Sequence, residues 1–424
     1  MITALLVLIA TLLIGVPVAF SIGLASLAYF LAAGANLLVF PQQVIGQLSA
    51  LSLVAIPFFI LAGELMNTGG ITMRIFNFAL AVVGRVPGAL GHANVLGSML
   101  FAGMSGSAVA DVASLGRVEL KAMRENDYPD DLSVGLTVSS ATLGPIIPPS
   151  INMVIYGSIA GVPVGLLFMG GVMPGVLSGA ALMMTFAYIY RRRRLHTPRV
   201  ATISIGSAFR SAFWALMTPV VLLGALFSGF ATPTESAVIA AIYASIVALF
   251  VYKEMSYAQF FRALLSTTIL SAAIMVILGL SAPLGYIIAR DQVASQVAMT
   301  MVSTISDHSW LLLALALLLL IVGIFLEVAP AMIILVPIVS PPLVAAGIDP
   351  ILLGVFIVYG LGIGLISPGL GMCLFVGSQI SGMSLERVML AVLPFIFPLI
   401  VVLLLMIPFP EIVTWIPTLV YGKY

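Results

Sequence analysis

The residues able to do chemistry gather at four places where long apolar runs are interrupted. Gly103-Met-Ser-Gly-Ser107 interrupts residues 91–116, and Gly144-Pro-Ile-Ile-Pro-Pro-Ser150 interrupts residues 132–161. Glu327-Val-Ala-Pro330 interrupts residues 311–343, and Ser367-Pro-Gly-Leu-Gly371 interrupts residues 352–381. A broken helix frees carbonyls at the end of one piece and N–H groups at the start of the next. Carbonyl and hydroxyl oxygens suit a hard cation such as sodium. Free N–H groups at a positive dipole end suit an anion. The parts are Ser105, Ser107, Thr142, Pro145, Ser150 and Asn152 in the first half, and Ser367 with flexible Gly369 and Gly371 in the second. Any one hydroxyl has a plainer alternative, bonding to the preceding turn or packing between helices. Clustering at the breaks favours binding.

Two acids, Asp111 and Glu327, flank these breaks inside apolar surroundings and are candidates for supporting a cation. Capping of freed N–H groups is the open alternative. Glu235 in Thr232-Pro-Thr-Glu-Ser236 reads as a helix start signal, and Glu64 in Ala62-Gly-Glu-Leu65 as an interfacial acid near a helix end.

The elements that must position these residues are membrane helices. The chain has 424 residues, 62% hydrophobic and 7% charged, with 16 Lys and Arg and 15 Asp and Glu. A soluble chain of this length would carry roughly 106 such charges. So few cannot coat a globule, which excludes a soluble enzyme, and a net charge of +1 points to no nucleic acid. The single cysteine, Cys373, excludes a disulfide framework and a Cys-based zinc site. A span needs about 20 apolar residues. Candidate spans are Ala4–Leu31, Val44–Leu65, Met169–Tyr190, Phe213–Phe230, Glu235–Tyr252, Leu264–Ile288 and Val388–Ile407. The opening run lacks a basic start and reads as a retained helix, not a cleaved signal. Non-helical backbone survives at membrane depth only when buried in protein or lining a wet cavity. Four interruptions in one membrane unit therefore point to a transport site.

The halves match at an offset of 219–220 residues: Gly103 over Gly323, Asp130 over Asp349, Gly135 over Gly354, Pro149 over Pro368, Met153 over Met372, Gly157-Ser158 over Gly377-Ser378, Pro174 over Pro394. Charge then orients them, because cytoplasmic loops carry excess Lys and Arg. Residues 116–131 hold Arg117, Lys121 and Arg124, while 341–350 hold no basic residue. Arg74, Arg85 and Arg191–Arg194 join the first-half set, and Glu411 and Trp415 stand where the second half would match that last run. Arg290, beside Asp291, falls on the wrong side of this scheme. The expected fold is an all-α polytopic membrane protein of two inverted-topology repeats, 1–190 and 231–424. Each holds a re-entrant hairpin (91–116, 311–343) and an unwound helix (132–161, 352–381). Residues 191–230 join them as a basic loop with His196, Pro198 and Arg199, an amphipathic stretch Thr202–Ala212 containing Arg210, and a linking helix.

Enzymatic readings gain little. There is no phosphate-binding G-x-x-x-x-G-K-[ST] loop and no H-E-x-x-H, and His92, His196 and His308 are far apart. An intramembrane hydrolase pairing Asp111 with Glu327 leaves the repeat and the unwound prolines without a purpose. A channel suits two opposed hairpins less well than alternating gates do.

Ile56-Pro-Phe-Phe-Ile-Leu-Ala-Gly-Glu-Leu-Met66, Gly103–Asp111, Ala141–Ser150, Thr232–Ala237 and Glu327–Pro337 together resemble the large membrane subunit of tripartite ATP-independent periplasmic (TRAP) transporters, in order over essentially the whole chain. The resemblance implies import of a small organic acid anion across the bacterial inner membrane, coupled to sodium ions, by an elevator movement of a transport domain against a scaffold. It implies a periplasmic substrate-binding protein, and a small four-helix membrane subunit expected as a separate chain. No other cofactor is implied. Carried over by position, Ser105 and Ser107 with Gly323 and Pro330 hold one sodium, and Gly364, Ser367 and Met372 another. Substrate falls to the region of Thr142, Pro145, Ser150, Asn152, Gly369 and Gly371. A stand-alone sodium/anion symporter of the same architecture is the alternative. Sialic acids and C4-dicarboxylates are among the family's solutes, and no arginine near the breaks selects one.

Overall fold

The computed structural model describes residues 2–195, 204–292, 307–369 and 371–422, the side chains of Leu51 and Ser52 excepted. His196, Pro198, Arg199 and Thr202 lie outside the described residues. The described residues form helices and no strand. Among the described residues, seven helices are long and apolar enough to cross a membrane by length and composition.

The first expected span is two helices, α1 (Ile2–Leu13) and α2 (Val18–Ala32), packed on each other. The apolar count hid the break. Gly15 takes a left-handed φ of +85° and Pro17 starts the next helix, the Gly-then-Pro punctuation that stops one helix and opens another. The second expected span also divides, into α3 (Val39–Leu48), a short 3₁₀ turn at Leu51–Val54, and α4 (Ala55–Thr68). At the end of α3 the Ser49 hydroxyl donates to the Ile45 carbonyl at 2.8 Å, a local bond that competes with helix continuation. After α5 (Ile71–Val83) come α6 (Ala89–Ser105) and α7 (Ala108–Arg124), broken at Gly106. The second of these runs eight residues beyond the expected boundary at Gly116, because its basic residues Arg117, Lys121 and Arg124 lie exposed while Leu115, Leu120 and Met123 stay buried.

Next come α8 (Asp130–Ser140) and α9 (Ile151–Ala160), separated by ten residues without α-helix, then α10 (Val164–Arg192). Residues from 205 onward belong to one continuous helix, α11 (Ile205–Phe227), so the end of the amphipathic stretch is its first two turns. α12 (Pro233–Ile246) starts with the capping box that the sequence announces: Thr232 caps the Glu235 N–H while Glu235 accepts from the Thr232 N–H at 2.7 Å. α13 (Tyr257–Arg290) carries exposed Phe261, Leu265 and Ile269 at four-residue spacing, a lipid-facing stripe. The remainder is α14 (His308–Phe325), α15 (Val328–Ala345), α16 (Pro350–Gly364), α17 (Met372–Ser381), α18 (Leu385–Leu405) and α19 (Glu411–Tyr421).

Packing crosses between the halves. α17 lies against α7, and α9 against α15, so each broken helix ends on the opposite half's helix pair. α13 runs along α2, α3, α4 and α15. All four breaks are thereby drawn inside one apolar body.

Candidate functional site

The break between α6 and α7 is built by Gly106 and Ser107. Gly106 takes φ +62°, and a methyl group added there would come within 2.7 Å of the Pro149 carbonyl. The tip is that close to the loop 141–150. On its other side Gly63 of α4 approaches Ser105, an added methyl reaching its Cα at 3.2 Å. Ser107 caps α7, its Oγ accepting from the Ala110 N–H at 3.4 Å. Ser105 Oγ accepts from the Ser107 N–H at 3.3 Å and donates to Asp111 Oδ1. Asp111 is buried, and its second oxygen, Oδ2, has no hydrogen-bond partner among the described residues. That oxygen faces Gly144, where an added methyl would lie 2.8 Å away.

Beside this tip is a cavity of about 220 Å³. Its wall brings together Ser105, Ser107, Pro145, Asn152, Glu327 and Pro330, residues drawn from three of the four sequence breaks. Glu327 stands at the N-cap of α15 without a side-chain cap bond. Its carboxylate is therefore available to the cavity instead of being tied to freed N–H groups. Asp111 likewise does not cap: it bonds Ser105. The cavity wall has no Lys, Arg or His among its described residues, and its charged groups are Glu64 and Glu327. The first turns of α7 and α15 also line it, and the N-terminal N–H groups of a helix are the kind of donor that suits an anion.

Other expected site residues stand elsewhere. Ser150 caps α9, donating to the Pro145 carbonyl at 2.5 Å and accepting from the Met153 N–H at 3.2 Å. Thr142 donates to the Ser139 carbonyl at 2.7 Å. Both hydroxyls are buried and engaged with backbone, outside the cavity wall. The second break forms its own cluster. Gly323 of α14 presses on Gly364 of α16, Ser367 Oγ donates to the Ile363 carbonyl at 3.1 Å, and Gly371 lies over the Leu365 carbonyl. Gly369 takes φ +151° against Ile324, and Met372 opens α17 with its side chain exposed. Gly323 thus has its immediate neighbour in the second cluster, while Pro330 lines the first.

Three groups escaped the sequence reading. Glu64, read as a helix-end acid, lies in the cavity wall, and Asn67 beside it also lines the cavity. Glu119 is 1% exposed with Oε1 lacking a partner among the described residues. Near it Ser98 donates to Ser140 at 3.0 Å, Ser140 to Asn94 Oδ1 at 2.9 Å, and Asn94 Nδ2 to Thr137 at 2.6 Å. A four-residue stripe of Asp111, Leu115, Glu119 and Met123 was the available signal; nearby Arg117 and Lys121 made the segment look like a loop. Among the described residues no three His, Cys, Asp or Glu side chains converge as a metal cluster.

A family model described as the DctM component of tripartite ATP-independent periplasmic transporters matches residues 5–412. The sialic acid TRAP transporter permease protein SiaT of Haemophilus influenzae is 40% identical over 418 residues, 98% of this chain and 68% of that protein. The sialic acid TRAP transporter large permease protein SiaM of Vibrio cholerae is 39% identical, with 96% of each chain covered. The C4-dicarboxylate TRAP transporter large permease protein DctM of Pseudomonas aeruginosa is 39% identical, covering 86% of this chain and 84% of its own. The crystal structure of the Alcanivorax borkumensis YdaH transporter shares the fold, with a TM-score of 0.63 over 86% of both chains at 16% identity. These relatives are named as transporter permeases, not enzymes, and the apolar helices make the chain a multi-pass membrane protein. The motifs, the family model and the full-length relatives agree: the chain belongs to the DctM family, the large permease component of TRAP transporters.

Proposed function

We propose that this permease imports a small organic acid anion across the bacterial inner membrane, coupled to the inward sodium gradient. The observation that carries the reading is the cavity between the tip at Ser105–Ser107 and the tip at Glu327–Pro330, with Asp111 Oδ2, which has no partner among the described residues, directly behind the first tip. A buried carboxylate oxygen without a donor is costly unless a cation or proton meets it, and Ser105 and Ser107 supply neighbouring oxygens for sodium. Gly364, Ser367 and Met372, with Gly323, are the second sodium position. The solute's carboxylate is assigned to the helix starts at Ser107 and Glu327, alongside Pro145 and Asn152. Sialic acid and C4-dicarboxylates, the solutes in the relatives' names, are the first to test.

The two halves are read as inverted repeats. In support, α6 to α9 begin at residues 89, 108, 130 and 151, and α14 to α17 at 308, 328, 350 and 372. Each start thus recurs 219–221 residues on. The helix pairs α6–α7 and α14–α15 are the re-entrant hairpins, with the first-half basic loops cytoplasmic. α4 and α13 serve as scaffold and the broken segments as the moving part, since the cavity lies between the two groups. A periplasmic binding protein delivers the solute, and a small four-helix membrane subunit completes the complex.

The test is radiolabelled uptake into proteoliposomes holding this chain, the small subunit and the binding protein. Uptake requiring an inward sodium gradient and all three components is expected. Full uptake by this chain alone identifies a stand-alone symporter, and uptake indifferent to sodium overturns the coupling.

A further inference from the structure

A second cavity, of about 550 Å³, lies further along the same three helices. The first cavity touches α13 at Leu270–Ile277, α9 at Ile151–Ile155 and α15 at Glu327–Pro330. The second touches α13 from Ser281 onward, α9 at Ile159 and α15 from Ile333 to Pro341. Between Ile274 and Tyr286 on α13 the displacement is 12 residues, about 18 Å at 1.5 Å per residue. The two cavities thus follow one another along the face where α13 meets the α9–α15 pair. α3 closes the second one with Gln43 and Gln47, four residues apart on one helix face.

The lining chemistry differs sharply between them. The first chamber carries carboxylates; the second offers the amides of Gln43 and Gln47 and the hydroxyls of Ser281 and Tyr286, and none of its described lining residues is charged. Neither glutamine side chain bonds a described residue, and both are half-buried while the neighbouring Gln42 is exposed. Ser281 donates to the Leu278 carbonyl at 2.7 Å and keeps its lone pairs free. The Tyr286 ring is fixed by stacking on Phe30, centroids 6.0 Å apart and 12° from parallel.

We infer that this chamber is a second solute-binding station on the transport path, recognising the uncharged hydroxyl, carbonyl or amide groups of an organic acid rather than its charge. A fixed cation there would trap an anion in a low-dielectric groove; amides and hydroxyls both donate and accept, and release it. The placement of the station toward the extracytoplasmic end follows from the orientation proposed above, and the inference rests on that transport reading.

The experiment uses the full complex in membranes, with Cys373 replaced by serine as the background. Gln47→Cys and, separately, Asn152→Cys are labelled with a membrane-impermeant maleimide, with and without sialic acid or succinate as probes. Saturating probe is expected to slow labelling of Gln47→Cys at least threefold. Gln43→Ala/Gln47→Ala is expected to raise the half-saturating probe concentration for uptake about tenfold, and Tyr286→Phe, which keeps the stack on Phe30, at least threefold. Protection of Asn152→Cys but not Gln47→Cys by the same probe overturns the second station while leaving the transport reading intact. Failure of both probes to protect either position overturns both. Unchanged half-saturation in both the glutamine and the tyrosine variants also overturns the station.

Discussion

An alanine at Gly364 is the most direct challenge to the second break. Its methyl would stand 2.3 Å from Gly323 Cα, 2.5 Å from its carbonyl carbon and 2.6 Å from its oxygen. Carbon atoms in contact rest about 3.5–4.0 Å apart, so α14 and α16 must part by about 1 Å or more. The obstacle is backbone on both sides, and no rotamer change relieves it. Overpacking of a tight contact costs about 1–3 kcal/mol. Against this, alanine in a helix gains about 0.5–1 kcal/mol over glycine. The expected net loss is about 1–2 kcal/mol, concentrated where Ser367 and Gly371 are held. Gly362 supplies the control within the same helix, because a methyl added there meets nothing within 4 Å. Gly362→Ala is expected to be neutral or slightly stabilising. Thermal unfolding of the purified complex reads stability, and uptake against sodium concentration reads the site. Gly364→Ala is expected to lower the unfolding temperature and raise the half-saturating sodium concentration at least tenfold, Gly362→Ala to do neither. If the two variants behave alike in both measurements, the backbone contact does not build a sodium position.

Three further substitutions address other parts of the structure. Ser105→Ala removes the hydroxyl that donates to Asp111 Oδ1. Leaving a buried acceptor unmet costs about 1–3 kcal/mol, and the variant is expected to lose sodium-dependent uptake at least tenfold while Ser105→Thr retains it. Thr232→Ala removes the α12 cap, an expected loss of about 1 kcal/mol in unfolding experiments with transport kinetics unchanged. In the loop after residue 251, Arg74 bonds Glu254 at 2.5 Å and holds its carboxyl below the ordinary glutamate range. That stabilisation is complete above the unfolded carboxylate pKa and is lost as pH falls through the lower folded value. The side chains are 21% and 45% exposed, so the pair is worth no more than about 1 kcal/mol. Glu254→Gln is expected to flatten the acid limb of unfolding temperature against pH and leave neutral-pH uptake unaltered.

The four breaks were legible because glycine, proline and serine cannot hide inside an apolar run that must form a helix. The start of α12 was legible because Thr232 and Glu235 are a reciprocal pair of local bonds. What escaped depends on neighbours distant in sequence. Gly15 and Pro17 look like tolerated residues in a long apolar stretch until α2 is seen folded back on α1. Glu64 looked interfacial because α4 ends four residues later, but α13 and the two tips close over it. Ser150 and Thr142 carried the right chemistry for binding, and only the positions of the Pro145 and Ser139 carbonyls reveal that each is engaged locally. Glu119 was masked by the charged residues around it, although every fourth position from Asp111 to Met123 is apolar or acidic.

The two breaks are built from opposite materials. Asp111 lies four residues after the cap Ser107, and its N–H bonds the Ser107 carbonyl at 3.1 Å. Four residues after the cap Glu327 stands Ala331, whose N–H makes the same bond to Glu327 at 3.0 Å. The backbone is alike, but one half places a carboxylate where the other places a methyl. The glycine opposite responds accordingly: Gly144 faces the Asp111 oxygen, whereas Gly364 faces the bare backbone of Gly323. On the proposed reading, a cation at the first break is met by side-chain charge, and one at the second chiefly by carbonyl dipoles brought close through the absence of side chains. The first position is therefore expected to be most sensitive to loss of oxygen at Ser105 or Asp111, and the second to carbon added at Gly364, where the obstacle is backbone on both sides.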